Sequence, residues 1–402
     1  MRVYIPDEIK IGSIERLYTI TKKVISRKKF KRFKNTSILM GNWSVLEKRK
    51  DDAYLIYTLD DLAFGGISLF RFSSFISSKD TITFSSKADM EIFRRIFVYR
   101  NVNVELLPFA VDDVFKPTVD EEFLEKYEIP SSVSILLYVG RIVLEKNVHT
   151  LLRIFKEVLK RYDKCILLIV GKPTDSHFGI ISGKEYKKYL GYLAEKLEID
   201  DKVRMIGFVE DEELVRIYSS SDIFVTASIL PGENFGFAVL EAQACGTPVI
   251  ASKWGGFKDT ILHRKTGFHF DTVLTKRGIV VDKKQAIQMI LLLLRNEKLR
   301  NKLKRNCVLH VKKNYSLHAY EGRIMRCLRR RGGKLKTKLY YKKEVEKKFI
   351  NSLYLKNGEV FLNDTKFFLE NFYTFSRSYC SKIATRKKKW KSLPLGDLHL
   401  KL

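Results

Sequence analysis

Apolar runs long enough to cross a bilayer are missing from this 402-residue chain. The longest, such as Ile290–Leu294 and Ile166–Val170, fall far short of the ~20 residues that a spanning helix needs, which excludes an integral membrane protein. Cysteine is scarce and odd in number. The five residues (Cys165, Cys245, Cys307, Cys327 and Cys380) are widely spaced and form no C-x-x-C pair, so a disulfide framework or zinc site is not expected, and a reducing compartment is. An export signal is not visible either, because Asp7 and Glu8 stand where a signal peptide has an uninterrupted apolar core. These absences together lead us to expect a cytoplasmic protein, soluble or peripheral at the inner membrane face.

What is present suits packed domains. Apolar residues make up 45% of the chain and aromatics 12%, which excludes wholesale disorder. At ~150 residues per domain the length predicts two or three of them. The net charge of +29 is unevenly spread. Residues 1–50 hold 14 Lys/Arg against 4 Asp/Glu, residues 323–402 hold 22 against 6, and the stretch between is close to neutral.

Two periods alternate in the middle of the chain. Short β-rich apolar runs occur at Ser134–Val139, Cys165–Val170, Val203–Ile206, Ile223–Ala227 and Pro248–Ala251. Helical patterns separate them at His149–Arg161, Lys184–Leu197, Asp211–Ser219 and Phe237–Cys245. Strands buried on both faces and linked by such helices predict a parallel, doubly wound α/β layer. These sheets bind ligands at the carboxyl ends of their strands, so the expected site loops are 140–147, 171–183, 207–210, 228–235 and 252–257. Residues 1–115 also read as α/β, with strands at Ser37–Met40, Tyr54–Thr58, Thr81–Ser85 and Val102–Leu107, and one long helix over Ile14–Phe33.

The run from Pro231 to Val249 carries the sharpest chemistry. Gly236 opens a helix, whose free N–H groups and positive dipole end favour an oxyanion. Glu233 precedes it and Glu241 follows five residues on; a carboxylate accepts two hydrogen bonds in a plane, which suits vicinal hydroxyls. The other reading of these acids is a helix cap and a solvated surface residue. Gly140, Arg141 and Lys146 follow the first strand of the same sheet. A forked guanidinium and a mobile ammonium together suit a diphosphate, although either one alone reads as an ordinary surface cation.

From about Asn103 to Arg331 the chain resembles a family 4 glycosyltransferase, a member of the retaining nucleotide-sugar enzymes of the GT-B fold. The stretches that carry the resemblance stand in their usual order: Val104–Asp112, Val139-Gly-Arg with Glu145-Lys-Asn, Gly207-Phe-Val with Ser221–Val225, and the Glu-x₇-Glu run from Glu233 to Glu241. The Ala-Cys-Gly-Thr-Pro-Val-Ile-Ala-Ser segment and the turn at Thr266 complete it. The resemblance implies two Rossmann-like doubly wound lobes, the first abbreviated. These would be an acceptor lobe at 1–116 and a donor-binding lobe at 117–332 with its final helices, followed by a basic, aromatic-rich extension at 333–402.

The resemblance also implies roles. Arg141 and Lys146 would meet the donor diphosphate, Glu233 the hydroxyls of the transferred sugar, and Glu241 the ribose. Gly140 and the backbone around Phe235, Gly236 and Phe237 would face phosphate and sugar, and Phe208 and Val209 would lie against the base. Arg141, Lys146 and Glu233 are the implied catalytic set. The family works without a metal, and no Asp-x-Asp triplet stands here to hold one. The expected donor is a nucleoside-diphosphate sugar with no further cofactor, and the expected acceptor is a glycan or lipid-linked saccharide.

The first lobe departs from the family. It is short, Gly65-Gly66 stands too close to the hinge to be the usual glycine loop, and no histidine occurs before His149. Asp60 and Asp61 read as substitutes for the family histidine or, alternatively, as caps of the next helix. The same departures support the alternative of a non-catalytic sugar-nucleotide-binding subunit or scaffold of a glycan-assembly complex. The basic Ile14–Asn35 segment reads equally as an anionic-membrane contact or as a helix packed on its own sheet. Arg386–Lys389 and Trp390 in the tail read as a second membrane contact. The tail aromatics Phe367, Phe368, Phe372 and Tyr373 are interleaved with basic residues, but no nucleic-acid fold accompanies them, so nucleic acid is not the expected partner.

Overall fold

The computed structural model describes residues 1–5, 13–59, 66–118, 125–176, 181–275, 278–329 and 338–343, together with the backbone of 353–356, 359–362 and 382–383. The chain divides into two compact units, 1–112 with 315–378 and 113–314 with 379–402. Asp60, Asp61, Gly65 and the tail residues named above lie outside the described residues.

In the first unit, β1 (Val3–Tyr4), β2 (Thr36–Met40), β3 (Ala53–Tyr57), β4 (Thr81–Phe84) and β6 (Asn103–Leu106) form a parallel sheet in the order β1-β2-β3-β4-β6. The order runs one way, so among the described residues this sheet has no point at which its winding reverses. β5 (Phe97–Arg100) stands apart and pairs antiparallel with Lys338–Tyr341, Phe97 opposite Tyr341. Tyr341 stacks on Phe70 and Phe97 at centroid separations of 4.2 and 4.9 Å. A piece of the basic C-terminal stretch therefore completes the core of this unit.

The expected helix over Ile14–Phe33 is broken. It runs Ser13–Ile25, Arg27 is extended, and Lys28–Phe33 forms a short 3₁₀ segment. The break lets Phe30 turn into the core while Arg27 and Lys29 both pair with Glu321, a carboxylate only 1% exposed. Two cations on one buried acid satisfy it better than either could alone. Leu17, Ile20 and Val24 are buried, and the Tyr320 hydroxyl lies 2.9 Å from Thr21 Oγ1 and 2.7 Å from Tyr57 OH. The apolar positions Leu17, Ile20 and Val24 are thus spent inside the unit, while Glu15, Thr19, Lys22 and Lys23 look outward. The helix Leu317–Arg329, expected to stay with the second lobe, belongs to the first unit through these same contacts.

In the second unit, β7 (Ser134–Val139), β8 (Cys165–Val170), β9 (Val203–Gly207), β10 (Ile223–Thr226), β11 (Val249–Ser252) and β12 (Gly267–Phe270) form a parallel sheet in the order β12-β11-β10-β7-β8-β9. The five expected strands appear within a residue or so of their predicted bounds. β7, β8, β10 and β11 are buried on both faces, Cys165–Val170 along its whole length, whereas the edge strand β9 exposes Arg204. β12 and the hairpin of β13 (Thr272–Thr275) and β14 (Gly278–Val281) add to what the sequence showed only as a turn at Thr266. The chain lays β7, β8 and β9 to one side, then returns to place β10 along the other edge of β7. That reversal puts the crevice of a doubly wound sheet at the carboxyl ends of β7 and β10. Among the described residues no helix is long and apolar enough to cross a membrane.

Candidate functional site

The loops leaving β7 and β10 are bound to one another by backbone and side chain. Ile229 N–H donates to the Glu145 carbonyl at 3.0 Å, and Asn147 Nδ2 donates to the Ala227 carbonyl at 3.1 Å. Asn147 takes a left-handed conformation (φ 60°) to enter the helix Val148–Leu159. Glu145 is 1% exposed and accepts from Ser176 Oγ at 2.6 Å, which brings in the loop after β8. That loop approaches Gly140 so closely that a Cβ on Gly171 would stand 1.9 Å from the Gly140 carbonyl oxygen. Ile142 N–H then donates to the Lys172 carbonyl at 2.8 Å, and Thr174 N–H returns to the Ile142 carbonyl at 3.1 Å.

Within this frame Lys146 Nζ lies 2.5 Å from Glu233 Oε2, across 87 residues of sequence. The same oxygen accepts from Ser228 Oγ at 2.8 Å. The pair is mostly enclosed, with 16% and 7% of the two side chains exposed, so the partial loss of water strengthens the attraction and raises the cost of losing either partner. Tyr138 is fully enclosed beneath the loop and donates to the Arg141 carbonyl at 2.9 Å. Burial first, and the neighbouring Tyr186 and Glu233 next, push its hydroxyl well above the ordinary range, so it stays a neutral donor. Arg141 itself is exposed.

The Glu233 loop is braced from behind. Ser252 Oγ donates to the Ser228 carbonyl at 2.5 Å, Trp254 Nε1 to the Leu230 carbonyl at 2.7 Å, and Gly256 N–H to the Glu233 carbonyl at 2.8 Å. Gly236 sits at φ 78° at the head of the helix Phe237–Ala244, and a Cβ there would meet the Phe257 ring at 2.7 Å. No side chain caps that helix start, so its first amides keep the polarity that suits an oxyanion. Glu241, one turn into the helix, is 2% exposed and accepts from Tyr218 OH at 3.1 Å.

The structure therefore brings Lys146 and Glu233 into contact, with Gly140 and Arg141 in the loop of the first and Phe235, Gly236 and Phe237 following the second. Glu241 lies in the adjoining helix. Phe208 and Val209 stand farther along the sheet, after β9, where Lys172 Nζ sits 4.2 Å over the exposed Phe208 ring. Sequence reading missed Tyr138, Ser176, Tyr218, Ser228 and Trp254. Ser176, Ser228 and Trp254 fall in the expected site loops, whereas Tyr138 lies within β7 and Tyr218 within the helix Asp211–Ser220, where position alone does not single them out.

His269, on β12, supports the same wall through Nε2, which lies 2.9 Å from the Phe257 carbonyl oxygen. Burial, assisted by His263, Lys253 and Lys258, lowers its pKa to about 4, although the Phe257 hydrogen bond opposes the shift. The unfolded chain binds this proton more readily, so the stability it contributes is present above pH ~6.5 and lost as pH falls toward 4, roughly 3 kcal/mol in all. Denaturant midpoints taken between pH 7 and 4 should fall, and a His269→Gln chain should show a shallower decline over that window. Equal slopes in the two proteins would remove this assignment.

Known proteins resemble the chain in the same region. The family model described as "Glycosyl transferases group 1" matches residues 119–307. D-inositol 3-phosphate glycosyltransferase 2 of Catenulispora acidiphila is 34% identical over 159 residues, 39% of this chain and 35% of that protein. Lipopolysaccharide 1,2-N-acetylglucosaminetransferase of Salmonella typhimurium is 28% identical over 175 residues, 44% and 45% of the two chains. The chain spans about a third of the length of these D-inositol 3-phosphate glycosyltransferases. Among solved structures, a sucrose-phosphate synthase from Thermosynechococcus elongatus aligns over 81% of this chain and 80% of its own, with a TM-score of 0.59 at 21% identity. Anabaena Alr3699/HepE in complex with UDP aligns over 77% and 81%, with a TM-score of 0.60 at 16% identity. Likeness at such identities establishes the shared GT-B fold, and the resemblance carried by the motifs is borne out.

Proposed function

We propose that this chain, whose residues 119–307 match the family model of the group 1 glycosyltransferases, transfers a sugar, with retention, from a nucleoside-diphosphate sugar to a glycan or lipid-linked saccharide. The observation that carries this reading is the Lys146–Glu233 contact at the carboxyl ends of β7 and β10, a cation and an acid from separate loops at the reversal of the sheet. Arg141 and Lys146 meet the charge that develops as the diphosphate leaves, a task that fixed cations perform in a cleft without a metal. The uncapped amides at Phe237 assist them. Glu233 holds hydroxyls of the transferred sugar, Glu241 the ribose, and the Gly207–Val209 turn with Phe208 the base.

In the proposed step the sugar C1–O bond breaks and its electron pair goes to the diphosphate. The acceptor oxygen bonds C1 on the same face, and its proton passes to the departing phosphate oxygen. UDP is the first nucleotide to try, since HepE binds it. The lack of histidine in residues 1–148 favours one second reading, a subunit that binds sugar nucleotides without turning them over. Incubation of the full chain with a panel of nucleoside-diphosphate sugars, with proton NMR of the anomeric signal, separates the two. Release of sugar or glycoside with the donor's anomeric configuration supports transfer with retention, inverted product contradicts retention, and donor binding without turnover supports the second reading.

A further inference from the structure

The first unit contains a cavity of about 620 Å³ that the proposed transfer does not use. Its floor includes Thr36, Ala53 and Thr81, the first residues of β2, β3 and β4. It therefore opens at the amino edge of the sheet, opposite to the edge at which parallel sheets carry out their chemistry. Lys31, Arg32 and Lys34 line one side and Lys79 joins them, against a single carboxylate, Asp52. Asp52 already accepts from Asn35 Nδ2 at 3.3 Å. Arg32 is positioned over the Phe33 ring at 5.0 Å, and among the described residues Lys31, Lys34 and Lys79 have no carboxylate partner.

Four cations gathered around one concavity repel one another, and a multivalent anion relieves that repulsion while collecting several charge-assisted bonds. The volume falls within the range of small-ligand pockets and is too small for a duplex. We propose that this pocket binds a ligand bearing two or more neighbouring phosphate groups, held by Lys31, Arg32, Lys34 and Lys79 and not chemically altered. The phosphates come from a soluble polyphosphorylated molecule or from anionic lipid headgroups. This site is independent of the donor reading, because its residues all lie in the first unit.

The test is a calorimetric titration of inorganic tripolyphosphate into the full chain, with excess UDP present to occupy the donor site. Wild type should bind, and more weakly as salt is raised. K34Q/K79Q should bind about tenfold more weakly or worse, K34R/K79R should retain binding, and K187Q/K188Q, which removes the same charge from an exposed helix of the second unit, should match wild type. Phosphatidylcholine vesicles with and without phosphatidylglycerol identify the source: capture by the anionic vesicles, reversed by tripolyphosphate, assigns lipid headgroups, and tripolyphosphate binding without capture assigns a soluble ligand. The proposal is overturned if wild type does not bind, if UDP abolishes binding, or if K187Q/K188Q weakens it as much as K34Q/K79Q does. It is also overturned if K34R/K79R loses binding along with the glutamine pair.

Discussion

Lys146→Met is expected to lower the transfer rate by about 10²–10³-fold, the usual cost of removing one fixed charge that faces the leaving group. It should also destabilise the fold by about 3 kcal/mol, because the Glu233 side chain, 7% exposed, would lose its cationic partner and keep only the Ser228 hydroxyl. Glu233→Gln should cost less stability, since an exposed route to water remains for part of the ammonium while the amide can still accept from Ser228. The double variant K146M/E233Q should be more stable than the two single effects summed, since contacting residues couple. Turnover at saturating donor and urea midpoints for the four proteins test this. A Lys146→Met chain with wild-type turnover and wild-type midpoint would separate the pair from both binding and folding.

Gly171→Ala is expected to cost about 3–5 kcal/mol, combining a strained backbone with an overpacked contact. The residue sits at φ +145°, and the new Cβ would lie 1.9 Å from the Gly140 carbonyl oxygen, a backbone atom that cannot rotate away. Relief requires the exits of β7 and β8 to part, which shifts Gly140 and Arg141, so donor affinity should fall together with stability. Gly191→Ala provides the contrast. Gly191 lies within the helix Gly183–Lys196 with nothing inside 4 Å of its Cβ position, and alanine there should stabilise by up to about 1 kcal/mol. Thermal midpoints and UDP titrations of the two variants should therefore move in opposite directions for stability, and only Gly171→Ala should weaken UDP binding. A Gly171→Ala chain that melts and binds as wild type does would mean that the two strand exits are not held as the structure shows.

The second unit was the more legible in the sequence, for a physical reason. Its central strands are covered on both faces, so Cys165–Val170 and Ile223–Thr226 read as unbroken apolar runs that local pattern alone can find. Edge strand Gly267–Phe270 has glycine and histidine in its four residues and shows no such run. In the first unit the helix Ser13–Ile25 was visible from its period, but its end was not, because the break at Ser26–Arg27 depends on Glu321, nearly 300 positions away. The candidate site followed the same division. Arg141, Lys146, Glu233 and Glu241 could be named from residue type and loop position. That Lys146 would find Glu233 depends on β7 lying beside β10, a pairing set by the winding of the sheet rather than by either loop.

Those loops should hold a nucleoside diphosphate, and a thermal-shift titration of the full chain with UDP, GDP, ADP and their glucose conjugates tests that expectation most directly. One nucleotide at 100 times its dissociation constant should raise stability by about 2.7 kcal/mol, and the increase should shrink in Glu241→Gln and Lys146→Met. No shift with any of the six compounds, or an undiminished shift in both variants, would contradict it.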